Sequence, residues 1–555
     1  MQHSFGYRFL LWLLFGFVAV NLSARPQLVI NGITPAYDSR TNTYLLSVSE
    51  QDMTNGWSAP ITILDNPSVA VQSIVIDGVS VDGPFRFSSV GEGRSFAVDI
   101  VTTEGTFSSH LQFTSVPVLS IDTGDLGNEY TETSILWQED GTLADTLFAK
   151  VKWRGGTTNR ADKHKRNYKL SFVDASGEKE DHSFGTLRSD NQWILDAGQV
   201  DMFRMRNLIM AQLWNDFARK PYYIDQQPKA LSATRGMRVE LFVADQYQGI
   251  FNLCEPIDRK QMRLKKFDAD GTIHGGLWKA ASFGDATFWN IPKEYDNTLP
   301  KNDVWEVKYP EIDDLCPSDY TTLREAILFV VTSSNADFNQ QVADYFDIPV
   351  MVDYYLFANV GNLFDICGKN ISWAVYDKVV DKKLTPAMWD LDCSVGQNNS
   401  DDPLRPDYVA YDTDLLWPNN IFYRLITLNT NHFNEALRAR YTELRPTYFS
   451  TAALQQRFRD AYLQMHFCGA LQREAQRWSG DSDIAGLTLD FAAELDYITQ
   501  WIALRMDFLD SYFLSSAIEE LRPDPLAARY YDLQGLPARG TKGLLIHNGK
   551  KTLIR

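Results

Sequence analysis

Residues 350–397 read VMVDYYLFANVGNLFDICGKNISWAVYDKVVDKKLTPAMWDLDCSVGQ. The apolar run to Val360 predicts a buried helix. Asp365 and Asn370 follow on a loop that leads into a strand from Ile371 to Tyr376. A second strand ends at Trp389-Asp390-Leu391-Asp392, with Gly396 just beyond. Two strands thereby deliver an amide and several carboxylates to one edge. Such a set suits a hard divalent cation, which takes oxygen ligands and keeps room for water. It also suits phosphoryl transfer. There, one carboxylate accepts or orients the proton of the nucleophile, while an amide and a second carboxylate hold magnesium against the phosphates. This reading requires the Asn370 amide to lie within one ion's reach of the Trp389–Asp392 carboxylates. Asp-x4-Asn alone is weak evidence. Followed by Trp-Asp-x-Asp after a strand, it is much stronger.

Outward from this window, strands are expected at 148–153, 167–172, 237–243 and 248–253, with a helix at 205–217. Beyond residue 318 apolar residues recur at three and four, predicting helices at 321–333, 350–360 and 487–513. Strands first and helices later indicate an α+β body over 119–515. Residues 25–118 look all-β and fit a small immunoglobulin-like sandwich. Alternating runs such as 43–48 and 71–76 are punctuated there by Asn55-Gly56 and Asp77-Gly78. No catalytic constellation stands in this segment, so binding or spacing is its expected role. Residues 521–555 form a short β tail after Pro523 and Pro525, with strand, Asn548-Gly549 turn and strand over 543–550. The tail is similar to C-terminal segments of exported Bacteroidetes-type proteins, some of which act as sorting signals.

The central window resembles the spore-coat CotH kinase family, in its Asp-x4-Asn loop and its Trp-Asp-x-Asp-x-x-x-Gly motif. Further matches follow in order: Arg154-Gly155 with Tyr168-Lys169-Leu170, Trp193-Ile194-Leu195 through Asp201 to Arg206-Asn207, Gln248-Gly249-Ile250-Phe251 with Glu255-Pro256-Ile257-Asp258, and Gly276-Leu277-Trp278-Lys279. The resemblance implies an atypical protein-kinase-like fold that moves the γ-phosphate of ATP to Ser or Thr with Mg²⁺ or Mn²⁺. It implies Asp365 as catalytic base, Asn370 as metal ligand, and Asp390 or Asp392 as the metal-binding aspartate. Lys169, Glu255 and Lys279 are the implied nucleotide-binding residues. The chain departs from protein kinases in lacking a Gly-x-Gly-x-x-Gly loop. It departs from the family in the apolar surroundings of its motifs, Phe364, Ile366, Leu391 and Cys393. These departures keep a second reading in view, a catalytically degenerate surface protein that uses the kinase-like body as scaffold. A third is a transferase using another phosphate donor.

Composition bounds the partners. A net charge of −18, from 53 Lys+Arg against 71 Asp+Glu, argues against a nucleic-acid binder. Residues 1–24 read as a signal peptide: Arg8, the apolar run Phe9 to Val20, then Leu22-Ser23-Ala24. Export to periplasm, cell surface or medium is therefore expected, with an envelope or extracellular ligand for the sandwich. The five cysteines include no Cys-x-x-Cys pair. Buried thiols are one expectation, and a Cys367–Cys393 disulfide another. The absence of His-Glu-x-x-His and Gly-x-Ser-x-Gly disfavours a zinc hydrolase and an α/β-hydrolase.

Overall fold

The computed structural model describes residues 26–514 apart from 65–69, 89, 143–145, 312–317, 398–415 and 417, together with the strands Gly543–His547 and Lys550–Ile554. The expected signal peptide lies outside the described residues. Among the described residues no helix is long and apolar enough to cross a membrane.

The N-terminal region is strand-rich. A six-stranded sheet runs Ala36–Asp38, Thr43–Ser47, Gly105–Thr114, Phe96–Thr102, Val71–Ile76, Val79–Ser80. In it Gly105–Thr114 lies parallel to Thr43–Ser47, and the other pairs are antiparallel. Alternation sets its inner face: Phe96, Val98 and Ile100 are buried. Asp77-Gly78, both at positive φ, makes the tight turn expected of it. Asn55-Gly56 does not make a hairpin. Ser49 accepts the N–H of Asp52 and starts a helix, Glu50–Asn55, which Gly56 ends at a φ of 67°.

A closed barrel follows, in the order Val118–Ile121, Thr131–Gln138, Thr146–Arg154, Asn167–Val173, Gln192–Asp196, Gln246–Cys254, Gly236–Val243. It closes because Val118–Ile121 pairs in parallel with Gly236–Val243, residues more than a hundred positions away. Tyr168, Leu170, Phe172, Trp193 and Leu195 fill its interior. A five-stranded antiparallel sheet comes next, ordered Lys301–Asn302, Trp305–Tyr309, Gly276–Ala280, Ile371–Val375, Thr385–Met388. The helices expected in the body are present as Arg206–Phe217, Thr321–Thr332, Ile348–Gly361 and Phe491–Phe513. Helix Ile348–Gly361 is buried on nearly every side, which is why its sequence is apolar all round.

Buried ion pairs lock the helices to the sheets. Glu474 takes Lys165 Nζ at 2.8 Å, Arg204 Nε at 2.7 Å and the Ile250 N–H at 2.7 Å. Arg206 bonds Asp201 and Glu494, both at 2.6 Å. Of the expected tail hairpin, Gly543–His547 pairs antiparallel with Lys550–Ile554. Cys367 and Cys393 are buried thiols, so the disulfide expected as one alternative is not formed. Burial and the adjacent Asp365 hold the Cys367 thiol well above its usual range, and burial beside Asp392 does the same for Cys393.

Candidate active site

The site forms where two paired strands begin and end together. Ile371 sits opposite Met388, so Asn370, just before one strand, lies beside Trp389 and Asp390, just after the other. The Trp389 N–H donates to the Asn370 carbonyl at 3.2 Å, and the Asn370 N–H donates to Ala280 of the next strand at 3.0 Å. Asp365 comes in from the C-terminal side of helix Ile348–Gly361. Asn362 ends that helix in the left-handed region, at a φ of 53°, and the turn Phe364–Cys367 carries Asp365 back over the strands. Asn370 and Asp390 are left-handed too, at φ 59° and 71°. Asn and Asp tolerate that conformation better than most side chains, and it lets the chain leave each strand sharply enough to turn both residues to one point.

One amide joins the carboxylates. Asn370 Nδ2 donates to Asp365 Oδ2 at 2.7 Å and to Asp390 Oδ2 at 3.2 Å. The reach required by the sequence reading is therefore met for Asp390. Lys369 Nζ stands 3.2 Å from Asp365 Oδ2. Burial works against the Lys369 charge, but Asp365 and Asp390 outweigh it and raise its pKa. Asp392 feels burial first and then the charges of Asp390, Asp196, Asp201 and Asp365, and its pKa is pushed well above the usual carboxylate range. A crowd of like charges of this kind is the environment a divalent cation relieves. The donors are carboxylate and amide oxygens, which fit Mg²⁺ or Mn²⁺.

The barrel supplies the opposite wall. Arg154 lies across its ladder from Asn167 and stacks over Trp389 at 5.1 Å. Burial lowers its pKa, while Asp390 and Asp196 oppose that shift. Asp196 ends a barrel strand and accepts Asn207 Nδ2 at 2.8 Å and Asn252 Nδ2 at 3.2 Å. Burial raises its pKa, as does the charge of Asp390. Asn207 also accepts the Leu391 N–H at 3.0 Å, which ties helix Arg206–Phe217 to the Trp-Asp-Leu-Asp segment. From the five-stranded sheet comes Lys279, whose pKa burial lowers to about 8 against the pull of Asp390.

Of the residues expected from sequence, Asp365, Asn370, Asp390, Asp392 and Lys279 are brought together. Lys169 lies across from Lys152, two positions along its strand from Asn167, and so shares the barrel face of Arg154. Glu255 does not join the cluster. Its Oε1 accepts the N–H of Arg188 at 2.7 Å and lies 3.8 Å from Arg235. Asp196 was missed, because a lone aspartate after Trp193-Ile194-Leu195 reads as an ordinary strand end. A separate group, His164, Asp481 and Asp483, brings ligand atoms within 4.8 Å of one another. Hydrogen bonds account for it as a brace: His164 Nδ1 meets Asp481 at 2.9 Å, and Asp483 accepts the N–H groups of His164 and Lys165.

A protein-family model described as CotH kinase protein matches residues 151–509. No curated protein matches the chain.

Proposed function

The chain belongs to the CotH kinase family, and on that premise we propose that it transfers the γ-phosphate of ATP to Ser or Thr hydroxyls of a protein, with a divalent metal. The observation that carries this reading is the Asn370 amide held between Asp365 and Asp390. In this reading the body has a kinase-like fold. Asp365 orients the acceptor hydroxyl and takes its proton as the oxygen bonds to phosphorus. Asn370 and Asp390 would hold the cation, with Asp392 as a further carboxylate. The bound metal would neutralise charge on the β- and γ-phosphates. Arg154, Lys279 and Lys369 meet the remaining phosphate charge, and ADP leaves as the bridging P–O bond breaks. Pre-placed, half-buried cations stabilise that charge without reorganising. Lys169 extends the cationic face along the barrel.

The same reading covers the ends of the chain. Residues 1–24 serve as a signal peptide that takes the protein out of the cytoplasm. Residues 25–118 serve as an immunoglobulin-like binding module, and 521–555 as a sorting segment.

The test is transfer of labelled γ-phosphate by the full chain to itself and to generic acceptors, with and without Mn²⁺. Metal-dependent labelling that Asp390→Asn abolishes is the expected result. Absence of labelling, with no stabilisation by ATP and metal, would favour the scaffold reading.

A further inference from the structure

Residues 186–190, 212–216, 229–235 and 255–263 enclose a recess of about 400 Å³. None of these segments supplies a residue of the aspartate cluster. Its charge is the reverse of the chain's. Arg188, Lys229, Arg235, Lys260 and Arg263 line it against Asp216 and Glu255, in a protein of net charge −18. Both carboxylates are already engaged, Asp216 by Arg457 at 2.7 Å and Glu255 by the Arg188 N–H at 2.7 Å. Asp190 and Asp258 bond Arg188 at 2.6 and 2.7 Å. With those two acids included, five cations still face four carboxylates.

The recess is also built. The Arg188 side chain is only 10% exposed, and Asp258 and Gln261 hold its two terminal nitrogens. Its Nε–H is buried, with no acceptor among the described residues, so Arg188 serves to fix the wall rather than to meet a ligand. Lys229 and Arg263 stand exposed at the rim, with no ion pair among the described residues. Unpaired cations around a recess suit a tetrahedral oxyanion, to which the exposed Arg263 guanidinium can donate in a fork and the Lys229 ammonium as a point charge.

We propose that this recess binds a phosphate-type oxyanion, carried either by a small phosphate ester or by a phosphorylated side chain of a protein. The proposal stands apart from the phosphotransfer reading, and its outcome is independent of it.

The experiment is calorimetric titration of the full chain at low ionic strength with inorganic phosphate, and then with a phosphoserine peptide and its unphosphorylated form. Lys229→Glu and Arg263→Glu are the informative variants, because both residues are exposed and outside the ion-pair network. Unchanged melting temperatures would verify their folds. Phosphate held beside the aspartate cluster would be unaffected by either charge reversal. The expected result is phosphate binding that weakens about tenfold or more in each charge reversal. Tighter binding of the phosphopeptide than of phosphate, with none of the plain peptide, would make the source a phosphorylated side chain. Phosphate bound but the phosphopeptide refused would make it a small ester. No phosphate binding, or binding unchanged in both charge reversals, would overturn the proposal.

Discussion

At the scale of single residues, Asn370 is the hinge of the site. Its amide satisfies two carboxylates that would otherwise repel one another, and its left-handed backbone gives it the direction to do so. Replacing it with alanine leaves Asp365 and Asp390 without their common donor and, on the proposed reading, takes one ligand from the cation. Asn370→Ala is therefore expected to lose most of the stabilisation that ATP and Mn²⁺ give the parent protein. That stabilisation is about 2.7 kcal/mol when the ligand stands at a hundred times its dissociation constant. Thermal denaturation with and without ligand measures it, and an undiminished shift in the variant would remove Asn370 from the metal site. Asp365, Asn370 and Asp390 were legible in the sequence because each is placed by its immediate neighbours, a helix end or a strand end. Glu255 was not. It follows Cys254 directly, and which side of the barrel it faces depends on how distant strands close.

At the scale of elements, the helix Ala470–Trp478 is held to the barrel by Glu474, which is wholly buried. A side chain on Gly249 would strike Glu474 Oε2 at 1.9 Å, so glycine is required there for the approach. Glu474→Ala would leave Lys165 and Arg204 buried without their shared counter-charge. Removing one partner of such a group costs about 3–5 kcal/mol, and chemical denaturation of the variant should show a loss of that size. A loss below about 1 kcal/mol would mean that water reaches the network. A second staple depends on pH. His274 lies 2.7 Å from Asp377 and 2.9 Å from Asp268, and Lys265 also bonds Asp377 at 2.7 Å. The hydrogen bonds to Asp268 and Asp377 raise the His274 pKa. A raised folded-state value means that the stabilisation is complete below the unfolded pKa of about 6.5. It is lost as pH rises through the folded value. The stability difference between the parent and His274→Gln should accordingly be largest in acid and shrink towards alkaline pH. A difference independent of pH would show that the imidazole is not charged there.

At the scale of the whole molecule, the N-terminal strands are part of the body. Leu46, Phe87 and Phe113 belong to one buried cluster with Met210, Leu356 and Trp501. The Glu92 N–H donates to Phe467 at the end of helix Thr451–Phe467, and the Ser39 N–H donates to Asp245 of the barrel. Sequence reading separated these regions at residue 118, because local patterns mark where strands lie and not which surfaces they cover. The closed barrel was hidden for the same reason: its seam joins Val118–Ile121 to Gly236–Val243, far apart in the chain. Scanning calorimetry of the full chain should therefore give one transition, with calorimetric and van't Hoff enthalpies in agreement. Two resolved transitions would show that the shared core does not couple the regions. All these scales meet at Asp365, which the fold buries against Asn370. The decisive measurement is the rate of γ-phosphate transfer by Asp365→Asn, compared with the parent at saturating ATP and Mn²⁺. The isosteric change removes the proposed proton acceptor, and a fall of about 10²–10⁴-fold is expected with nucleotide affinity preserved. Transfer at the parental rate would contradict it.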